Sequence, residues 1–430
     1  MSETRVAVVG AGILGLAAAF YLVRSGTRVI VIDRDREEDK TSHGNAGGIA
    51  VTEVFPASSP NVLRQVFAWM FDPLGPVAVR PTHAPKLIPW LVRFIMSGAP
   101  HEVERISLAL AALNARAHDD LVQMLKEIGL SDQLHNAGAI SLYESEAGYR
   151  RDASEWACKR ARGILAQDLT AAEARVLEPD IGPLVHRAVF TPQWSHVSDP
   201  RQIALGLRDW LFGRGVEFRC GDVQDIKQNS ARELVLRLAG GQSIHADKAV
   251  IATGAWSGAL ARRLGDRVFL ESERGYTATI PSARINLSRE LIFSERKFVA
   301  TPLSCGLRIG GAAEFGGLKA RPNYERSRVL VDLAKRYLPN LNTEGAVYWA
   351  GHRPTTPDSL PVIGPSERFP NVFYAFGHGH LGFTQAATTG RLVGDLLWNK
   401  PIPIDLTPYR IQRFAVRTRK LDASAYFLLH

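Results

Sequence analysis

The sequence predicts a mixed α/β protein built from two interleaved domains, and three stretches carry that reading. The first, RVAVVGAGILGLAAAFYLVRSGTRVIVIDRD, reads as strand, glycine turn, helix and strand within about thirty residues. The second is a middle block of short strands with antiparallel character, quite unlike the first fifty residues. The third, Asn371 to Leu397, is again a strand, a glycine turn and a helix, at the far end of the chain. Matching units at both ends, with a different architecture between them, fit interleaved domains better than consecutive ones.

In the first unit, Arg5 to Val9 is an apolar run suited to a parallel sheet buried on both faces. Gly10, Gly12 and Gly15 follow in the spacing G-x-G-x-x-G. The first glycine permits the turn, the second lets backbone approach a pyrophosphate, and the third lets helix and strand pack closely. Ile13 and Leu14 open a helix rich in good helix formers, whose free N–H groups and partial positive charge face the same point. Gly26 closes it. The second strand ends in Asp33 and Arg34, and Asp33 stands where a carboxylate can accept hydrogen bonds from an adenosine ribose. A dinucleotide is therefore expected, and the stretch by itself does not separate FAD from NAD.

Asp39 to Pro56, rich in Gly, Ser and Thr, reads as a loop that closely approaches something. From Ala84 to about Gly129 the pattern is mostly helical. Ala137 to Ser145 reads as a strand, Arg150 to Gln167 as a polar helix, and Asp199-Pro200-Arg201 as the start of a helix through Trp210. ADKAVIATGAW is a strand running into Ala252, Thr253, Gly254 and Trp256, a glycine-containing strand end that returns to the dinucleotide. Further strands are expected at GYTATIP, FVATPL, GLRIGGAAEF and VYWAGHRP.

Composition narrows the class. The chain has 430 residues, 46% of them hydrophobic, and a formal net charge of +9. Lys and Arg are spread along its whole length, with no tract mixing basic clusters and aromatics, so a nucleic-acid groove is not expected. No apolar run reaches the roughly 18 residues that span a bilayer. The strand starts almost at the initiator Met, leaving no room for a signal peptide, so a cytoplasmic protein is expected, with peripheral contact to the inner face of the membrane left open. Cys158, Cys220 and Cys305 are scattered without metal-ligand spacing, as free thiols in a reducing compartment would be, and no metal site is expected.

The far end decides the cofactor. GHGHLGF feeds a helix expected to start near Phe383 or Thr384, after Gly379, His380, Leu381 and Gly382. A second helix N-terminus suits the negative charge that develops on reduced flavin, which NAD does not require. FAD is the expected cofactor.

On VVGAGILGLAAAFYL, TSHGNAGGI, VIATGAWS, SERGYTATIP, GHRPTTPDSLPVIG and FGHGHLGFTQAATTG, the chain resembles the D-amino acid oxidase-like flavoprotein family, which includes glycine oxidase, sarcosine oxidase and bacterial D-amino acid dehydrogenase. TSHGNAGGIAVTEVFP and PLGPVAVRP narrow the likeness toward D-amino acid dehydrogenase small subunits and D-hydroxyproline dehydrogenases. The resemblance implies a Rossmann-type FAD domain of the glutathione reductase-like kind from residues 1–58, 196–262 and 346–410, a substrate domain from 59–195 and 263–345, and a tail at 411–430. It implies hydride removal from the Cα of a D-amino or cyclic D-imino acid to flavin N5, hydrolysis of the imine to a 2-oxo acid and ammonia, and electrons passed to quinone or a partner protein. An oxygen-using oxidase and a flavin-binding accessory subunit without turnover are the alternatives.

It also implies roles. Arg353, in the G-x-R-P motif, would hold the substrate carboxylate as a bidentate fork, the alternative being a structural salt bridge. Where other members place a second arginine, this chain has Thr356. Tyr276 either donates to that carboxylate or packs in the core. His43 would lie against the flavin, with Ser42, Gly44, Asn45, Ala46, Gly47 and Gly48 wrapping the isoalloxazine; capping a helix is its alternative role. His380 would shift proton affinity near N5 or contact substrate, and His378 shares its turn. Asp358 would sit in a motif that contacts the ribityl chain and pyrophosphate, a turn aspartate being its alternative role, and Val223 would meet the adenine. No cysteine precedes the T-P-D segment, so FAD is expected to be non-covalent.

Overall fold

The computed structural model describes residues 4–35, 40–59 and 75–415. Strands Arg5–Val9, Arg28–Asp33, Glu217–Cys220, Lys248–Ile251, Val362–Pro365 and Val372–Phe376 make a six-stranded sheet. All neighbours are parallel except the last pair, Val362–Pro365 against Val372–Phe376. The pleat of Arg5–Val9 explains its unbroken apolar run. Val6 and Val8 pack into one core with the helices Ile13–Arg24, Pro200–Phe212 and Ala386–Leu397, whereas Ala7 and Val9 face a second core formed by the antiparallel sheet Val223–Gln228, Leu234–Leu238 and Ser243–Ala246.

The helix Ile13–Arg24 is buried nearly all round because the helix Ala386–Leu397 lies against it. That approach depends on Gly390: a Cβ there would stand 2.6 Å from the backbone of Ala17. The two glycine-led units from opposite ends of the sequence are thus packed together by their own helices.

The second body is a nine-stranded mixed sheet. Its central strands are Glu271–Ile280, Gly306–Phe315 and Phe298–Leu303, all antiparallel. The helix Glu325–Tyr337 covers one face, over a core holding Phe293 stacked on Phe298 with ring centroids 4.2 Å apart. Val347–Thr355 pairs with Glu271–Ile280 along nine register positions. This strand therefore belongs to the large sheet.

Several expected element boundaries shift. The helical stretch from Ala84 to Gly129 is three helices, Ala84–Met96, Pro100–Asn114 and Ala117–Glu127. The polar helix runs Glu146–Ala161, N-capped by the Ser145 hydroxyl. The C-terminal helix starts at Ala386, because one 3₁₀ turn, Gly379–Leu381, intervenes. In the expected tail, Ile411–Phe414 packs against the domain, and residues 416–430 lie outside the described residues. Among the described residues no helix is long and apolar enough to cross a membrane.

Candidate active site

Where the two sheets meet lies a cavity of about 780 Å³, within the range of cofactor sites. At one end it is lined by Gly10, Gly12, Ile13, Leu14, Asp33, Arg34, Val223, Ala252, Thr253, Gly254 and Trp256. At the other end are Arg353, Gly379, His380, Gly382 and Phe383, and Ser42, Gly44, Asn45, Ala46 and Gly48 lie along it. Segments spread over most of the sequence thus share one wall.

The glycine turn is built by close contacts. A Cβ at Gly15 would sit 1.8 Å from the Gly10 carbonyl oxygen, and one at Gly10 would sit 2.4 Å from that of Ala252, so neither position admits a side chain. Gly12 is different: its nearest neighbour would be Ser42 Oγ at 3.9 Å. Space has been kept open above Gly12, at the N-terminus of a helix with no acidic residue in its first turn. Such a point receives a pyrophosphate. Asp33 Oδ2 accepts the Ala11 N–H at 2.6 Å, and Oδ1 accepts from Asp35 N–H at 2.9 Å and Lys40 Nζ at 2.5 Å. The carboxylate braces the turn and keeps part of its acceptor capacity for a ribose. Arg34 stacks on Trp256 at 3.8 Å, closing that end.

Further glycines make room for side chains. The Trp349 indole lies against both Gly44 and Gly351, where a Cβ would approach it within 2.2 and 1.9 Å. The Arg353 guanidinium lies over Gly275, at 2.4 Å from such a Cβ. Arg353 Nη1 donates to Glu273 Oε1 at 2.9 Å and to the Ala312 carbonyl at 3.1 Å. Both bonds use one nitrogen, which leaves the Nε–Nη2 edge for an incoming carboxylate. Glu273 is itself fixed by the Thr355 hydroxyl at 3.0 Å.

His380 faces the same space. Loss of solvation lowers its pKa, with Arg353 adding to the effect and Glu273 and Glu53 opposing it, so the ring is neutral at pH 7. His378 is 3% exposed, bonded through Nε2 to the Thr389 hydroxyl at 2.9 Å, and burial pushes its pKa down to about 3.

Several expected site residues lie elsewhere. Tyr276 is fully buried, donates to Glu314 Oε2 at 2.6 Å and accepts the Asn323 N–H. Its neighbours Gly275 and Thr277 line the cavity, so the strand's alternation turns Tyr276 to the opposite face. Asp358 forms a salt bridge with Arg413 at 2.8 Å and does not line the cavity. His43 lines a smaller cavity behind the glycine turn with Ala11, Ala204 and Arg208. Gly47 and Thr384 support the wall from outside: Gly47 has φ +97, and the Thr384 hydroxyl accepts the Ala50 N–H at 3.0 Å. Leu381 is core.

Sequence reasoning missed a buried polar group on the same cavity. Lys159 Nζ lies 3.0 Å from Glu53 and 3.3 Å from Glu155. Burial pushes the Glu53 carboxyl up, but Lys159 outweighs this and holds it below its ordinary value. Burial pushes Glu155 up despite the same lysine. Glu290 is 2% exposed and accepts the Thr301 hydroxyl at 2.9 Å; burial, with Glu53 adding, pushes its carboxyl up to about 8. Glu53 lies within TSHGNAGGIAVTEVFP, but no motif marks Lys159, Glu155 or Glu290.

A fold with a dinucleotide cradle at one end and an arginine–histidine pair at the other defines a flavin-type oxidoreductase. Comparison with known proteins agrees. The family model described as FAD dependent oxidoreductase matches residues 5–396. A D-amino-acid oxidase of Bradyrhizobium diazoefficiens is 33% identical, covering 96% of this chain and all of the relative. A D-amino acid dehydrogenase of Paramagnetospirillum magneticum is 31% identical over 95% of this chain and 99% of the relative. A glycine oxidase from Geobacillus kaustophilus superposes with a TM-score of 0.73 at 25% identity, covering 96% and 99% of the two chains. The chain belongs to this family of FAD-dependent oxidoreductases, and the space above Gly12 fits the family's cofactor.

Proposed function

We propose that this enzyme oxidises D-amino acids, or cyclic D-imino acids such as D-proline and D-hydroxyproline, to imines that hydrolyse to 2-oxo acids and ammonia. The observation that carries this reading is that Arg353, with both its side-chain hydrogen bonds made through Nη1, lines the same cavity as His380. The names of the two relatives support the substrate class. Bound FAD supplies the acceptor for the hydride leaving the substrate Cα. Arg353 grips the α-carboxylate, and its pairing with Glu273 fixes the plane of the fork. His380, whose pKa is lowered from the ordinary histidine value, accepts a proton from the substrate amino group. The flavin is held without a covalent bond to protein.

Electrons pass to a quinone or a partner protein, with the enzyme cytoplasmic and in peripheral contact with the inner face of the membrane. The Bradyrhizobium relative's name favours a second reading, an oxidase returning electrons to dioxygen. Incubation with D-alanine, D-proline and D-arginine, measuring 2-oxo acid, peroxide and reduction of an artificial dye, separates the two. Stoichiometric peroxide in air sinks the dehydrogenase reading, and absence of any 2-oxo acid sinks both.

A further inference from the structure

Away from Arg353 and His380, the cavity wall carries three carboxylates, Glu53, Glu155 and Glu290, around one buried ammonium, Lys159. Lys159 is paired with Glu53 and Glu155 and lies over the Trp156 ring. Glu290 stands apart: it is 2% exposed, lines the cavity, and has no basic partner among the described residues. The one hydrogen bond it receives there comes from Thr301 to Oε2, so Oε1 is left without a donor. Its place is kept by Gly48, where a Cβ would stand 2.3 Å from Oε2. The other ammonium on the wall, Lys297, is exposed and forms no ion pair with described residues.

A buried carboxylate without a cation is costly, and a structural network would pair it or replace it. Glu53 and Glu155 share Lys159, whereas Glu290 has the Thr301 hydroxyl alone, so a ligand's cation can take the place of the proton that burial holds on it. The remaining wall suits the stem of such a ligand. Phe298 and Trp156 line the same cavity and give it apolar surface for a chain of methylenes, with Lys159 already over the Trp156 ring at 4.8 Å.

We infer that this wall is a subsite for a cationic side chain, so that the preferred substrates are D-amino acids ending in a guanidinium or ammonium group. The inference rests on the reading given above, with Arg353 taking the α-carboxylate and Glu290, assisted by Glu53, taking the distal cation. Glu290 is then a specificity-determining residue.

The test compares kcat/KM for D-arginine and D-lysine with the uncharged D-citrulline and D-norleucine, in the FAD-loaded wild-type enzyme and in Glu290→Gln. Wild type should favour the cationic member of each pair by at least about 10-fold, and Glu290→Gln should shrink that ratio by roughly 10- to 100-fold. Equal use of both members by wild type, which needs no variant to fold, overturns the subsite, as does an unchanged ratio in Glu290→Gln. A direct binding measurement separates this failure from failure of the D-amino acid reading. n-Propylguanidinium should raise the melting temperature of the FAD-loaded wild type more than that of Glu290→Gln. Equal or absent stabilisation overturns the subsite whatever the turnover assays give, whereas turnover of neutral D-amino acids alone leaves the reaction standing and removes the cationic preference.

Discussion

Replacing Gly12 by alanine isolates the cofactor from the fold. Gly12 has φ −75 and ψ 175, which any residue adopts, and its added Cβ would meet nothing nearer than Ser42 Oγ at 3.9 Å. The protein alone therefore has no reason to resist the change, and apo stability should stay level or rise by up to about 1 kcal/mol as the unfolded chain loses freedom. A pyrophosphate resting on this backbone would be lifted by the new methyl group. Losing one or two charge-assisted bonds from the helix amides costs about 2–4 kcal/mol, roughly a factor of 10² in FAD affinity. Gly15→Ala is the control with the opposite signature. Its Cβ would stand 1.8 Å from the Gly10 carbonyl oxygen, so strand and helix must part and the apoprotein should lose at least about 1–3 kcal/mol. Chemical denaturation of the apoproteins and FAD titration by fluorescence quenching measure both quantities. A Gly12→Ala protein that binds FAD like wild type, or whose apo form is destabilised like Gly15→Ala, refutes the placement of the pyrophosphate.

Three further outcomes are expected. Arg353→Ala should raise KM and lower kcat/KM by about 2–4 kcal/mol while leaving FAD bound, because the proposed role of the residue is to hold the substrate carboxylate; unchanged steady-state kinetics would remove it from the site. Glu290 holds a proton in the folded state up to about pH 8, whereas the unfolded chain gives it up near the ordinary value of 4.5, so this residue makes stability fall as pH rises between those limits. Glu290→Gln should therefore gain stability over wild type as pH goes from 5 to 7.5, by about 2–4 kcal/mol in paired urea melts, and a difference independent of pH contradicts the burial of that carboxyl. All three thiols, Cys158, Cys220 and Cys305, are exposed and should react with a thiol reagent in the folded enzyme; fewer than three equivalents would contradict their placement.

The parts legible in the sequence were those whose physics is local. The turn Gly10–Gly15 is short, Gly15 answers to Gly10 five residues before it, and its strands are buried on both faces, so their composition betrays them. Asp199 as an N-cap, accepting the Arg201 N–H, was legible for the same reason. For Tyr276 the sequence leaves two roles open, because a motif gives a residue's position along a strand and not its face; it packs in the core, between the cavity-lining Gly275 and Thr277. Asp358 accepts the Leu360 N–H as a turn aspartate does, and its ion-pair partner, Arg413, is 55 residues away and beyond the reach of any local pattern. The carboxylates were invisible for a related reason. Glu53, Glu155 and Glu290 come from a loop, a helix and a strand edge, and nothing short of the fold places them on one wall.

The most direct measurement is an anaerobic titration of the FAD-loaded protein with matched D- and L-amino acids, following flavin absorbance near ~450 nm. Bleaching by the D-enantiomer, with D-arginine among the most effective, and none by its L-counterpart is the expected result. Bleaching by L-amino acids only, or a flavin that stays oxidised with every amino acid offered, would contradict the assignment of this cavity.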